Sequence, residues 1–313
     1  MKPTNPSVQS QRAKINALLR KEAKSQGASV NDLRKQYIFS LFLRRIFNVP
    51  DDQWLLLGGN ALILRTGGGR YTQDIDLARA EPFYNAETVQ QELQLLVEVS
   101  EGLFRFDIHK IEMRTNHIDD YGYGTPAARA SVIAYLGVQE FDRFSLDIVQ
   151  QRHLQAPVEW IPLREVIQHE TLENLPEVPV APLESHLADK ICAMYERHKG
   201  GPSTRMRDLA DIVRIVKQLS FNAGVLQRKL NHERQRRKIT LPSSFQSPGE
   251  NWGTEFPKAA RTFDGYPAEL HTLEASLEYA GACLTPLLAG IRTNGIWKPE
   301  LQQWTESTSA TNP

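Results

Sequence analysis

The 313 residues are 41% hydrophobic and 24% charged, the balance of a folded globular chain and not of a disordered or collagen-like one. At about 150 residues per domain this length predicts two domains, and the net charge of zero, 37 basic against 37 acidic residues, excludes a uniformly basic nucleic-acid binder. No apolar run reaches the roughly 18 residues of a spanning helix, and the opening residues lack the apolar stretch of a secretory signal, so a cytoplasmic protein without membrane contact is expected. Cys192 and Cys283 are too few for a disulfide framework or zinc site and are read as free thiols.

Charge is unevenly placed. Residues 1–50 hold ten Lys and Arg against Glu22 and Asp32, a surplus of +8. A second basic cluster comprises Arg228, Lys229, Arg234, Arg236, Arg237 and Lys238. Both runs suit solvated helix faces and could also track the phosphates of RNA.

In chain order, residues 8–26 and 30–47 read as helices, the second with Leu33, Tyr37, Phe39, Phe42 and Phe47 recurring near the 3.6 period and Ser29 as its cap. Trp54 to Leu57 is a short apolar run closed by Gly58-Gly59, as a buried strand would be. Asn60 then caps a short helix that ends at the glycines 67–69. Strands are predicted over Tyr71 to Ala78, Phe104 to Met113, Ala130 to Val138 and Arg143 to Val149, with a helix at 85–100 and a hairpin connection over Gln139 to Asp142. The prolines between 157 and 182 run through a stretch with no helical period, read as the crossover between domains. Helices follow over 183–198, 205–220, 222–233, 255–262 and 267–289, with a loop at 239–254 and a disordered tail.

The sharpest feature is Asp74-Ile75-Asp76. On a strand, residues two apart share a face, so the two carboxylates project together while Ile75 packs behind. Like charges so close repel unless a cation lies between them, and a hard divalent ion such as Mg²⁺ suits carboxylate oxygens. Asp147, inside the apolar run Phe144 to Val149, is a third candidate, since an unpaired charge there is costly unless it coordinates or pairs. Arg129 or Arg143 is the alternative partner. Upstream, Gly58-Gly59 at a strand-to-helix turn would let an anion approach the backbone amides at the helix start.

These residues resemble a known signature. The stretch from Leu57-Gly58-Gly59-Asn60 to Asp74-Ile75-Asp76-Leu77 is similar to that of the AbiEii/AbiGii nucleotidyltransferase toxins, to which the mycobacterial MenT-type toxins are similar; Asn60 stands where that family has Ser or Thr, and an amide can still donate a hydrogen bond. Lys190-Ile191-Cys192-Ala193-Met194-Tyr195-Glu196-Arg197 and Arg207-Asp208-Leu209-Ala210-Asp211 resemble the family's two later helical motifs. The resemblance covers about 52–216; residues 1–50 match nothing. By helical spacing Lys190 and Arg197 share one edge of their helix, and Asp208 and Asp211 share a face of the next.

The resemblance implies an α+β fold: a nucleotidyltransferase-type mixed sheet with flanking helices over 1–160, and a mostly helical domain over 161–313 completing the active-site cleft. It implies Mg²⁺-dependent transfer from an NTP to an RNA acceptor, foremost the tRNA 3′ end, by the toxin of a toxin–antitoxin pair with a separately encoded antitoxin. Asp74, Asp76 and Asp147 would hold metal, with Asp147 as general base. Gly58, Gly59, Asn60, Lys190, Arg197 and Asp208 would bind the nucleotide. Lys190 and Asp211 complete the catalytic set, and the cluster 228–238 would bind RNA. Competing readings are a small-molecule transferase of the antibiotic-modifying kind, needing an acidic acceptor pocket; a catalytically inactive RNA- or protein-binding module; and a D-x-D glycosyltransferase, which leaves Gly58-Gly59 and Lys190 without a task.

Overall fold

The computed structural model describes residues 7–48, 53–69, 71–83, 85–98, 102–115, 126–150, 158–197, 201–263 and 265–306. Two units emerge, one of residues 1–64 and 71–180, the other of 65–70 and 181–313. The tail beyond residue 306, expected to be disordered, lies outside the described residues. No helix among those described is long and apolar enough to cross a membrane.

The first unit is built on a seven-stranded mixed sheet in the order β3-β4-β5-β2-β1-β7-β6. Its strands are β1 (Trp54–Leu56), β2 (Asp74–Arg79), β3 (Phe104–Thr115), β4 (Pro126–Leu136), β5 (Gln139–Gln150), β6 (Glu159–Pro162) and β7 (Glu177–Val180). β2 runs parallel to β5 and β1 parallel to β7, and the other pairs are antiparallel. Helices α1 (Val8–Gln26), α2 (Val30–Ile46), α3 (Gly58–Thr66) and α4 (Ala86–Val97) accompany it. Ser7 and Ser29 cap α1 and α2 through their side chains, and Gly27 stops α1 in the left-handed conformation. The buried face of α2 meets the sheet through edge-to-face aromatic pairs, Phe39 with Phe144 at 5.0 Å and Phe42 with Phe106 at 5.4 Å.

Three expectations change here. The β4–β5 hairpin turns at Gly137 and Val138, with Gln139 to Asp142 already in β5, because Gly137 takes the positive φ that the turn requires. The segment 157–182 is more than a crossover: β6 and β7 pair across it, and β7 adds to β1. Pro162 and Pro179 are tolerated in so short an antiparallel pair at the sheet edge, and the first unit therefore reaches Val180. Asn60 is not the cap of α3 but its third residue; the helix begins at Gly58.

The second unit is mainly helical: α5 (Leu183–Tyr195), α6 (Met206–Gln218), α7 (Ala223–Arg236), α8 (Trp252–Ala260) and α9 (Leu273–Leu288), closed by a small hairpin of β8 (Ile296–Lys298) and β9 (Gln303–Thr305). Its core holds Trp252, Phe256 and Trp297. Each buried indole N–H finds a carbonyl, Trp252 at Ser203 and Trp297 at Val216, both at 2.7 Å.

Candidate active site

β2 carries the paired carboxylates. Ile75 and Leu77 are fully buried and anchor one face of the strand, so Asp74 and Asp76 emerge together on the other, each partly exposed. The parallel register sets Asp76 beside Asp147 and Asp74 beside Ser145; neighbouring strands lie about 4.8 Å apart. The Asp74 carbonyl is pinned by two side chains, since the Asn60 amide (2.8 Å) and the Thr72 hydroxyl (3.2 Å) both donate to it. Asn60 is buried and thus orients the strand from within α3.

The helix start adds a second constraint. The Leu57 N–H donates to the Asp76 carbonyl at 2.9 Å, and Gly58 adopts φ +61°, with no room for a side chain: a Cβ there would lie 1.9 Å from Asp76 Oδ2. The Asp76 carboxylate therefore sits against the first turn of α3. That turn has amides without carbonyl partners inside the helix and the positive end of its dipole, which favours the ionised carboxylate. The glycine pair expected to admit an anion already admits one from the chain itself.

On the other side, Arg129 of β4 is the cross-strand partner of Asp147, and its guanidinium lies 3.6 Å from that carboxylate. The pair is partly exposed and so weakly held. Three carboxylates on one sheet face form the donor set that a hard divalent ion prefers. Among the described residues, however, no three His, Cys, Asp or Glu side chains converge closely enough to hold a metal ion; Asp147 is turned toward Arg129, and that weak pair would yield on binding.

In the second unit the expected residues are brought together differently. Lys190 is buried on α5, and its ammonium donates to Asp211 Oδ2 at 2.6 Å and Asp208 Oδ1 at 3.1 Å on α6. Arg205 completes the cluster by donating to Asp208 Oδ2 at 2.6 Å. Burial alone would lower the Lys190 pKa, but the carboxylates of Asp211 and Asp208 more than reverse it and raise the value above that of an ordinary lysine. Arg197 does not share the Lys190 edge: α5 ends at Tyr195 and Glu196 is extended, so Arg197 lies beyond the helix, exposed. His186, one turn before Lys190, is missed by the motif although its H-x-x-x-K spacing places it on the same face. Its pKa is pushed down to about 3, by burial first and then by Lys190, and its buried Nε2 has no hydrogen-bond partner among the described residues.

The basic cluster at 228–238 is only in part a charged surface. Arg236 and Arg237 are engaged by Glu233, and Arg237 also by Asp189 and Glu196. Lys229 is buried, while Arg228, Arg234 and Lys238 stay exposed. Half of the expected RNA-facing charge is thus met by acids or packing within its own unit.

The family model for the nucleotidyl transferase AbiEii toxin of type IV toxin–antitoxin systems matches residues 41–278. The chain belongs to the AbiEii nucleotidyltransferase toxin family. Its matched segment contains Gly58, Gly59, Asp74, Asp76, Asp147, Lys190, Asp208 and Asp211, whereas α1 and most of α2 precede it. Among solved structures, the nucleotidyltransferase toxin MenT4 of Mycobacterium tuberculosis H37Rv is similar in fold, with a TM-score of 0.55, 16% identity, and 87% of this chain and 89% of that one covered. JHP933 of Helicobacter pylori gives a TM-score of 0.46 at 16% identity, covering 84% and 94%. No curated protein sequence matches the chain. As an AbiEii member it is a nucleotidyltransferase, and the mixed sheet with helices is the fold expected of it.

Proposed function

We propose that this AbiEii nucleotidyltransferase transfers nucleotides from an NTP to an RNA acceptor, foremost the 3′ end of tRNA, with Mg²⁺ as cofactor and a separately encoded antitoxin as its restraint. The observation that carries the reading is the register of Asp76 beside Asp147 with Asp74 on the same face, and Asp76 against the start of α3. Asp74, Asp76 and Asp147 would hold Mg²⁺, which when bound supplies charge neutralisation at the transferring phosphate and activation of the acceptor hydroxyl.

The chain's own groups account for the rest. The first-turn amides of α3, at Gly58, Gly59 and Asn60, would receive phosphate oxygens. A phosphate beside the Asp76 carboxylate is repelled unless a cation lies between, which supports a metal at this edge. Asp147, once released from Arg129, is the base that takes the acceptor hydroxyl proton. Lys190, Asp208, Asp211 and Arg197 remain proposed for the nucleotide, but Lys190 would have to trade its two carboxylates for a phosphate. Its geometry better supports the task of holding α5 to α6. Arg228, Arg234 and Lys238 are the members of the second basic cluster that remain proposed for RNA.

The test is labelling of total tRNA by purified protein with Mg²⁺ and labelled NTPs. Wild type should label; Asp74→Asn, Asp76→Asn and an excess of EDTA should each abolish it. Labelling of equal strength by the two variants overturns the proposed site.

A further inference from the structure

The helices that precede the family-matched segment present charge of one sign. In α1, Ile15, Leu19 and Ala23 are buried. At 100° per residue, Lys14, Arg20, Lys21 and Lys24 then fall within about 120° on the opposite side, and all four are exposed. None of them forms an ion pair among the described residues, and the nearby Glu22 lies toward the buried side and accepts from Gln26 instead. Arg20 and Lys24 are four apart and Lys21 and Lys24 three apart, spacings at which like charges oppose helix formation. A polyanion would relieve that repulsion.

The same helix pair is tied to the approach of β2. The Tyr71 hydroxyl donates to Gln26 at the end of α1 (3.1 Å), and Gln73 donates to Asp32 in the first turn of α2 (3.0 Å). Tyr71 and Gln73 lead directly into Asp74. A hollow of about 420 Å³ beside Gln73 carries Arg34, Lys35 and Arg143 on its walls. Lys35 is held by Asp142 and Arg143 by Glu140. Arg34 has its guanidinium over the Phe141 ring, 5.8 Å from the centroid, and its buried Nε has no hydrogen-bond partner among the described residues.

We infer that the exposed basic face of α1 binds the phosphodiester backbone of the RNA acceptor. The inference rests on the RNA-acceptor reading above and locates the surface that reading requires. Charge complementarity selects the occupant, because a row of exposed cations spaced along one helix matches successive phosphates.

The experiment uses the full chain and total tRNA between 50 and 200 mM salt. It compares wild type with Lys14→Glu/Arg20→Glu/Lys21→Glu/Lys24→Glu and with the milder replacement of the same four residues by Gln. Loss of four phosphate contacts flattens the slope of log K against log salt by about 3. The tRNA Kd should rise at least tenfold at 50 mM salt in the Glu variant and several-fold in the Gln variant. The loss should appear in the KM for tRNA, while the KM for NTP keeps its wild-type value. Circular dichroism checks both folds, and the Gln variant alone decides if the Glu variant is unfolded. Wild-type tRNA affinity and salt slope in the variants, with labelling intact, overturn the inference, leave the RNA reading standing and assign this face to a protein partner. A wild-type protein that neither binds nor labels tRNA overturns the RNA reading, and the inference falls with it.

Discussion

Gly58 and Asp76 share a space that only one of them can fill: a Cβ on Gly58 would stand 1.9 Å from Asp76 Oδ2 and 2.7 Å from its Cγ. The glycine is required twice, once by this approach and once by its φ of +61°, which costs an L-residue about 1–2 kcal/mol. In Gly58→Ala the melting temperature should therefore fall by only a few degrees, while tRNA labelling falls by more than tenfold because the carboxylate is displaced. Unaltered labelling in a folded Gly58→Ala protein would show that the position of Asp76 does not matter to the chemistry.

Lys190→Met should be among the costliest changes in the chain. It takes the ammonium away from Asp211 and from Asp208, which keeps Arg205; both carboxylates are almost fully buried, and breaking one side of a buried ion cluster costs about 3–5 kcal/mol. Urea unfolding should report that loss, and adding Asp208→Asn and Asp211→Asn to Lys190→Met should recover part of it. By spacing alone Lys190 shares an edge of its helix with Arg197; the structure instead buries it against two carboxylates. Because the folded Lys190 pKa is raised, its contribution is complete below the unfolded value of about 10.4 and is lost only as alkaline pH climbs through the folded one.

His186 gives the opposite pH dependence. With its folded pKa near 3 and an unfolded value of about 6.5, the unfolded chain binds the extra proton between these limits. Stability should therefore fall as pH drops from 6.5, by up to about 1.4 kcal/mol per pH unit from this one group. Urea midpoints of wild type and His186→Leu, measured from pH 7 to pH 4, isolate it. The variant should lose less stability on acidification, and parallel curves would mean that His186 stays uncharged in the unfolded chain or charges freely in the folded one.

Arg129→Gln tests whether the arginine competes for Asp147. The pair is partly exposed and 3.6 Å long, so its loss should change stability by less than about 1 kcal/mol. If Asp147 ligates Mg²⁺, the half-saturating Mg²⁺ concentration for labelling should fall by up to about fivefold. A rise instead would mean that Arg129 orients Asp147 for its task.

Local features of the chain were legible before any coordinates. α1 and α2 were both legible as helices, the second from the period of its apolar residues and its Ser29 cap, and β2 from Asp74 and Asp76 alternating with their neighbours. The shared face of Asp74 and Asp76 was legible too, since a strand's two-residue repeat is set by backbone geometry alone, whereas the place of Asp147 beside Asp76 depends on how β5 pairs with β2. What the sequence could not decide were relations between distant segments. β6 and β7 were hidden because their residues gain strand geometry from pairing at the sheet edge and not from their own alternation. The partner of Lys190 depends on how α5 packs on α6, and the fate of Arg237 on acids 40 or more residues away, Glu196 and Asp189. Residue types and spacings determine which groups share a face of one element; which opposing charge each face meets is settled only when packing excludes water and makes an unpaired charge costly.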